Sequence, residues 1–239
     1  MDADAPKSEA EAAAQSGDQA KAGSNAAQPA AAAFGELPAW RSRAAWATVL
    51  GAFVIGLAVD LWSKYWAFRT VAGYPVELER ERVLGDPSFF VPHHPRVEAI
   101  PFDLLDFRLV LNHGAVFGIG QQKRGLFIVF TVAATIAALL LFARGTRVRM
   151  RWAHVAIGCI LAGGIGNLYD RVFYGAVRDF LHMLPYWELP GGWRWPGNAT
   201  AEVFPWVFNV ADVLLLAGMA IFVLASFAED RRQRARERA

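Results

Sequence analysis

Residues 152–180 read WAHVAIGCILAGGIGNLYDRVFYGAVRDF, and whether they cross a membrane decides the fold. The apolar part, Trp152–Tyr169, is marginal against the roughly twenty residues that span a hydrocarbon layer about 30 Å thick. Beyond it stand Asp170, Arg171, Arg178 and Asp179, and Asn167 lies just inside. A bilayer rejects such groups unless other groups compensate them. Three further apolar blocks are less ambiguous: Ala44–Phe68, Gly125–Ala143 and Val207–Ala228. None shows the period-2 alternation of barrel strands, so all four read as helices. Counting 152–169 as a span puts Arg41 and Arg43, the arginines at 144, 147, 149 and 151, and the segment EDRRQRARER (229–238) on one side. That is the positive-inside pattern, and an odd number of spans breaks it. The expectation is a mainly α membrane protein with four transmembrane helices and both termini cytoplasmic.

Composition agrees. Of 239 residues, 55% are hydrophobic, and they come in blocks rather than interspersed as in a soluble domain. A net charge of +2 is too small to point to nucleic acid as a partner. Cys159 is the single cysteine, which excludes an internal disulfide and a CxxC metal site, and it reads as an inert packing residue. Residues 1–38 are Ala-rich with few large apolar side chains and read as a disordered tail. Residues 39–230 form the four-helix domain, and 231–239 a basic cytoplasmic tail. The first outer loop holds DLLDFRLVLNHGAVFGI (103–119), whose pattern around Phe107–Leu111 predicts short strands at the membrane surface. The second, Leu181–Trp206, carries Trp187, Trp193, Trp195 and Trp206, expected in the headgroup layer.

The polar residues near the spans carry the chemistry. Asp60 and Lys64 stand at i,i+4 late in the first helix, and their simplest reading is mutual neutralisation with the lysine snorkelling outward. Gly158, Ala162 and Gly166 form a small-residue ridge for close helix packing. Asp170 and Arg171 read equally well as a salt-bridged cap or as a brace with Asn167. Asn209 and Asp212 share a face of the last helix, and Asp212 has no basic neighbour in sequence to neutralise it. Its compensation must come from another helix or from water. Asp179 and Asp212 are able to face each other across the last two helices, where two close carboxyls share a proton as in aspartic proteases. Spacing alone leaves a transporter open, with Asp60, Asp170 and Asp212 as an ion relay. No HExxH, P-loop or dinucleotide motif is present, and His93, His94, His113, His154 and His182 do not make a zinc spacing.

Taken together, DLWSK (60–64), NHGAVFG (112–118), GGIGNLYDR (163–171) with GAVRDF (175–180), and FNVAD (208–212) resemble the bacterial lipoprotein signal peptidases, over about residues 44–228. The resemblance implies an intramembrane aspartic protease of the inner membrane that removes the signal peptide of prolipoproteins ahead of a diacylglyceryl-modified cysteine. It implies Asp179 and Asp212 as the catalytic acids, and Asp60, Asn112, Asn167, Asp170, Arg171 and Asn209 as supporting residues. Lys64 joins that set as the partner of Asp60. It further implies a small extracytoplasmic β-sheet cradle and a flap-like segment in the first outer loop. The family usually has two apolar residues before the first catalytic acid, and here Arg178 takes the second place. No metal or other cofactor is expected. Diacylglyceryl prolipoproteins and membrane lipids are the expected partners, nucleic acid is not, and the chain is expected to be a monomer. A non-catalytic membrane scaffold with the same fold remains the third reading.

Overall fold

The computed structural model describes residues 37–86, 89–114 and 124–238. The tail expected over 1–38 therefore lies almost wholly outside the described residues, as do residues 87–88 and 115–123 of the first outer loop, where the flap is expected. Among the described residues, four helices are long and apolar enough to cross a membrane: α1 (Arg43–Thr70), α3 (Arg124–Leu140, continued by a π turn Leu141–Gly145), α4 (Arg151–Phe173) and α5 (Val210–Glu237). A short helix α2 (Arg80–Gly85) lies in the first connection. The basic residues that follow the last apolar block continue α5 rather than leaving it.

The marginal apolar character of 152–169 has a structural cause. In α4, 56% of the apolar window is buried, against 22% or less in the other three spans. A helix enclosed by its neighbours needs little lipid-compatible surface, so its sequence is free to carry glycine and polar groups. Its small residues set the spacing. At Gly158 a Cβ would sit 2.6 Å from both Ala52 Cβ and the Val49 carbonyl oxygen of α1, so the two backbones touch. At Gly163 a Cβ would strike the Ala211 carbonyl oxygen of α5. The expected ridge thus packs on α1, while a second glycine seats α5. The lipid-facing sides carry exposed Leu50, Ile55, Phe130, Leu216 and Leu224.

Between the helices' ends lies an antiparallel sheet in the order β1 (Val97–Ile100), β2 (Leu105–Asn112), β3 (Val177–Met183), β4 (Val207–Phe208). The strands expected around Phe107–Leu111 are β2, and β3 follows α4 after only a short turn. Gly175, at φ +85°, supplies the left-handed backbone that lets the chain leave the helix. β2 and β3 pair Val110 with Asp179, Leu111 with Arg178 and Asn112 with Val177, and a bulge interrupts the register between Phe107 and Val110. The end of α1 (Ala67, Phe68) and the residues after it (Val71, Ala72) pack on Leu109 and Phe180, which fixes the sheet on the bundle. The second outer loop folds back on itself through Leu189 N–H to Ala201 O (2.8 Å) and Val203 N–H to Trp187 O (2.7 Å). Within it, edge-on or tilted aromatic contacts run Trp193–Trp195–Trp206–Phe204–Phe208, ending in β4.

Candidate active site

Where β3 and the start of α5 meet α4, a polar knot is buried at the sheet end of the bundle. Asn209 caps α5: its side-chain oxygen accepts from Asp212 N–H (3.1 Å), and Asp212 Oδ2 accepts from Asn209 N–H (3.2 Å). This reciprocal cap fixes Asp212 on the first turn of the helix. The Asn209 amide is free to point inward, where it donates to Asp179 Oδ1 (2.5 Å) and to Asn167 Oδ1 (3.1 Å). Asn167 in turn donates to Asp212 Oδ1 (2.9 Å). The two acids, one from β3 and one from α5, are therefore joined by a pair of asparagine amides. The compensation that Asp212 lacks in sequence comes from α4.

Their environments differ. Asp179 is 1% exposed, whereas Asp212 is partly open. Burial foremost, and then the nearby charge of Asp212, push the Asp179 carboxyl up to about 8, opposed by hydrogen bonds from Asn112 and Asn209. The proton that the pair shares is thus favoured on Asp179, the more buried acid. Asp212 accepts from two donors, Asn167 and the Asn209 N–H, and is the acid with access to water. One protonated and one ionised carboxyl held together are able to activate water and polarise a peptide carbonyl without a cofactor.

A layer beneath them holds Lys64, which donates to Asp60 Oδ2 (2.9 Å) and Asn167 Oδ1 (3.0 Å) and lies 3.3 Å from Asp170 Oδ2. The pairing with Asp60 is present, but the expected snorkelling is not. Lys64 is fully buried, because two carboxylates and an amide carbonyl surround it inside the bundle. Asp60 also accepts from Ala211 N–H (2.8 Å), one of the unpaired amides in the first turn of α5. Gly166 makes room for this carboxylate, since a Cβ there would collide with Asp60 Oδ2.

Asp170 and Arg171 do not pair with each other. Consecutive helix residues point about 100° apart, and each finds a distant partner. Arg171 donates to the Gly114 carbonyl (3.0 Å) and the Asn167 carbonyl (3.2 Å), lies over the Phe127 ring, and interacts electrostatically with Asp179 and Asp212. Asn112 turns the end of β2 by accepting from Gly114 N–H (2.9 Å). Asp170 receives Arg178, a residue that sequence reasoning noted beside Asp179 without assigning it a partner. Every residue expected at the site, namely Asp60, Lys64, Asn112, Asn167, Asp170, Arg171, Asp179, Asn209 and Asp212, lies in this one connected network. An ion relay would need Asp60, Asp170 and Asp212 strung along the bundle, and here they share a single knot.

A cavity of about 690 Å³ lies between the 90–96 segment, β2, His182 and Glu202, and neither Asp179 nor Asp212 lines it. Among the described residues, no group of three or more His, Cys, Asp or Glu side chains is placed to hold a metal ion.

Comparisons with known proteins point the same way. The family model for signal peptidase (SPase) II matches residues 52–228. A lipoprotein signal peptidase of Rhodopirellula baltica is 31% identical over 195 residues, covering 76% of this chain and 72% of that protein. The corresponding protein of Methylobacterium radiotolerans is 36% identical over 132 residues (54% and 67%). Among solved structures, a bacterial membrane enzyme determined by the in meso method at 2.3 Å resolution superposes with a TM-score of 0.55 at 25% identity, covering 77% of this chain and 89% of that one.

Proposed function

The chain belongs to the signal peptidase II family and is a multi-pass membrane protease that cleaves signal peptides from prolipoproteins, and we propose that Asp179 and Asp212 are the reacting pair. The observation that carries this reading is the shared clamp of Asn167 and Asn209, which holds the two carboxyls together in unlike surroundings. Their environments suggest the division of labour. Asp212, the more open of the two, takes a proton from the attacking water. Asp179, buried and protonated, gives its proton to the oxygen of the scissile carbonyl as the C–O(water) bond forms. Collapse of the resulting gem-diol breaks the C–N bond, the proton on Asp212 passes to the departing amine, and Asp179 recovers its own. The bond cut is the one ahead of the diacylglyceryl-modified cysteine.

Lys64, Asp60, Asn112, Asp170 and Arg171 hold this pair in place. The site belongs to the outer face of a bacterial inner membrane in this proposal, with both termini cytoplasmic and the protein acting as a monomer. The arginine-rich 144–151 connection and the basic end of α5 lie at the other end of the spans from the sheet, which supports that orientation. The test is conversion of a diacylglyceryl prolipoprotein by purified Asp179→Asn and Asp212→Asn proteins. Both are expected to fold and to lose turnover, and full turnover by either folded variant refutes the assignment.

A further inference from the structure

Arg178 is the neighbour of Asp179 on β3, and successive strand residues face opposite ways. While Asp179 turns to Asn209, Arg178 turns to Asp170: its backbone N–H donates to Asp170 Oδ2 (3.0 Å), and Nε and Nη2 donate to Oδ1 (3.1 and 2.7 Å). Its guanidinium lies 4.1 Å from the centre of the Tyr174 ring, and the side chain is 5% exposed. The groups around it are Asp170 of α4, Tyr174 just beyond that helix, Tyr65 and Arg69 of α1, and Glu77, with Arg69 and Glu77 solvent-exposed and screened.

The charges of the whole knot then count as follows. Asp60, Asp170, Asp179 and Asp212 are four carboxyls. Among the described residues of the knot, Lys64, Arg171 and Arg178 are three cations. One proton leaves the ensemble neutral, and burial makes any other total costly. Lys64 is the pivot, because it touches both Asp60 and Asp170 and also acts electrostatically on Asp179 and Asp212. With Arg178 in place, Asp170 is satisfied and the Lys64 charge is available to the reacting pair. Without it, one ammonium serves two unneutralised carboxylates.

We propose that Arg178 is a positioning residue for the cleavage reaction, and that its ion pair with Asp170 sets the pH range over which Asp179 and Asp212 together carry a single proton. This rests on the reading of those two acids as the reacting pair. Removing a positive charge near carboxyls favours their protonated forms, so both limbs of the pH–rate profile move upward. Removing the negative charge of Asp170 moves them down.

The experiment is the pH profile of kcat/KM for prolipoprotein cleavage in lipid nanodiscs. Arg178→Gln is expected to raise both limbs by about one pH unit, a second-layer charge acting at the lower end of the range for close pairs. Asp170→Asn should lower them by a similar amount. Arg178→Lys, which keeps the charge, and the double variant Asp170→Asn/Arg178→Gln, which removes both charges, should each keep the limbs of the parent protein even where kcat falls. A residue with only a structural role would change the rate and leave the limbs in place. Unmoved limbs in Arg178→Gln overturn the proposal, and so does a double variant whose limbs stay shifted. If Arg178→Gln fails to fold, the downward shift in Asp170→Asn and its reversal in the double variant decide the matter. The Asp179→Asn and Asp212→Asn assays separate the two failures: loss of turnover there with unmoved limbs here leaves the reacting pair intact and removes only the role of Arg178.

Discussion

Asn209 performs two tasks that substitutions are able to separate. Its side-chain oxygen caps α5, and its amide clamps Asp179 and Asn167. Asn209→Ala removes both. Loss of the cap costs about 1 kcal/mol, and removing one of the two donors to each of Asp179 and Asn167, which keep those of Asn112 and Lys64, adds about 1 kcal/mol. Asn209→Ser keeps a good cap but does not reach the two acceptors, so it should be more stable than the alanine variant by about 1 kcal/mol. The acids, however, lose the same clamp in both proteins. Displacement of reacting groups by about an ångström costs on the order of 10²-fold in rate, so both variants should fall by a similar factor. Thermal unfolding in detergent, followed by tryptophan fluorescence, measures the first quantity, and single-turnover conversion of prolipoprotein measures the second. A serine variant with the conversion rate of the parent protein would show that capping is all Asn209 contributes.

Two further outcomes follow from packing and titration. Gly163→Ala drives a methyl into the Ala211 carbonyl and to 2.8 Å from Leu215 Cγ, where backbone cannot yield; it should cost about 1–3 kcal/mol by overpacking and reduce activity by moving Asn167, one turn above, from Asp212. Gly164→Ala, whose nearest neighbour would be Thr131 at 3.7 Å, should be neutral or slightly stabilising, and identical behaviour of the two variants in melting and cleavage assays would contradict the assigned seam. Asp179 keeps its proton to about 8 when folded and ionises from 3.8 when unfolded, so the folded state binds more protons between those values and stability should fall as pH rises through that window. Melting temperatures measured across that range should decline more steeply for the parent than for Asp179→Asn, and equal slopes would refute the assignment.

The four spans were legible because length and apolarity suffice to recognise them, and the arginine distribution corrected the weak third one. Asp212 was legible as an acid without a local partner. What stayed hidden was pairing at a distance. Lys64 reads as a surface lysine because Asn167 and Asp170, its other partners, are about a hundred positions away. Arg178 and Asp170 are eight residues apart across a helix end, a glycine turn and a strand start, and no periodicity connects such positions. β3 itself is obscured because VRDFLHM places charged or polar residues on both faces, each satisfied by a different neighbour.

The bond from Ala211 N–H to Asp60 joins the last span to the first. Helices enter the bilayer in chain order as the ribosome delivers them. Until α5 arrives, Asp60 lacks that amide, and Asn167 lacks both Asn209 and Asp212. A nascent chain interrupted before residue 209 therefore holds polar groups in lipid with their partners still unmade, a state exposed to quality-control proteolysis. The same final insertion event brings in Asp212. The helix that supplies the last of these polar bonds is also the one that carries Asp212, so the proposed acid pair cannot form before the final span is in place.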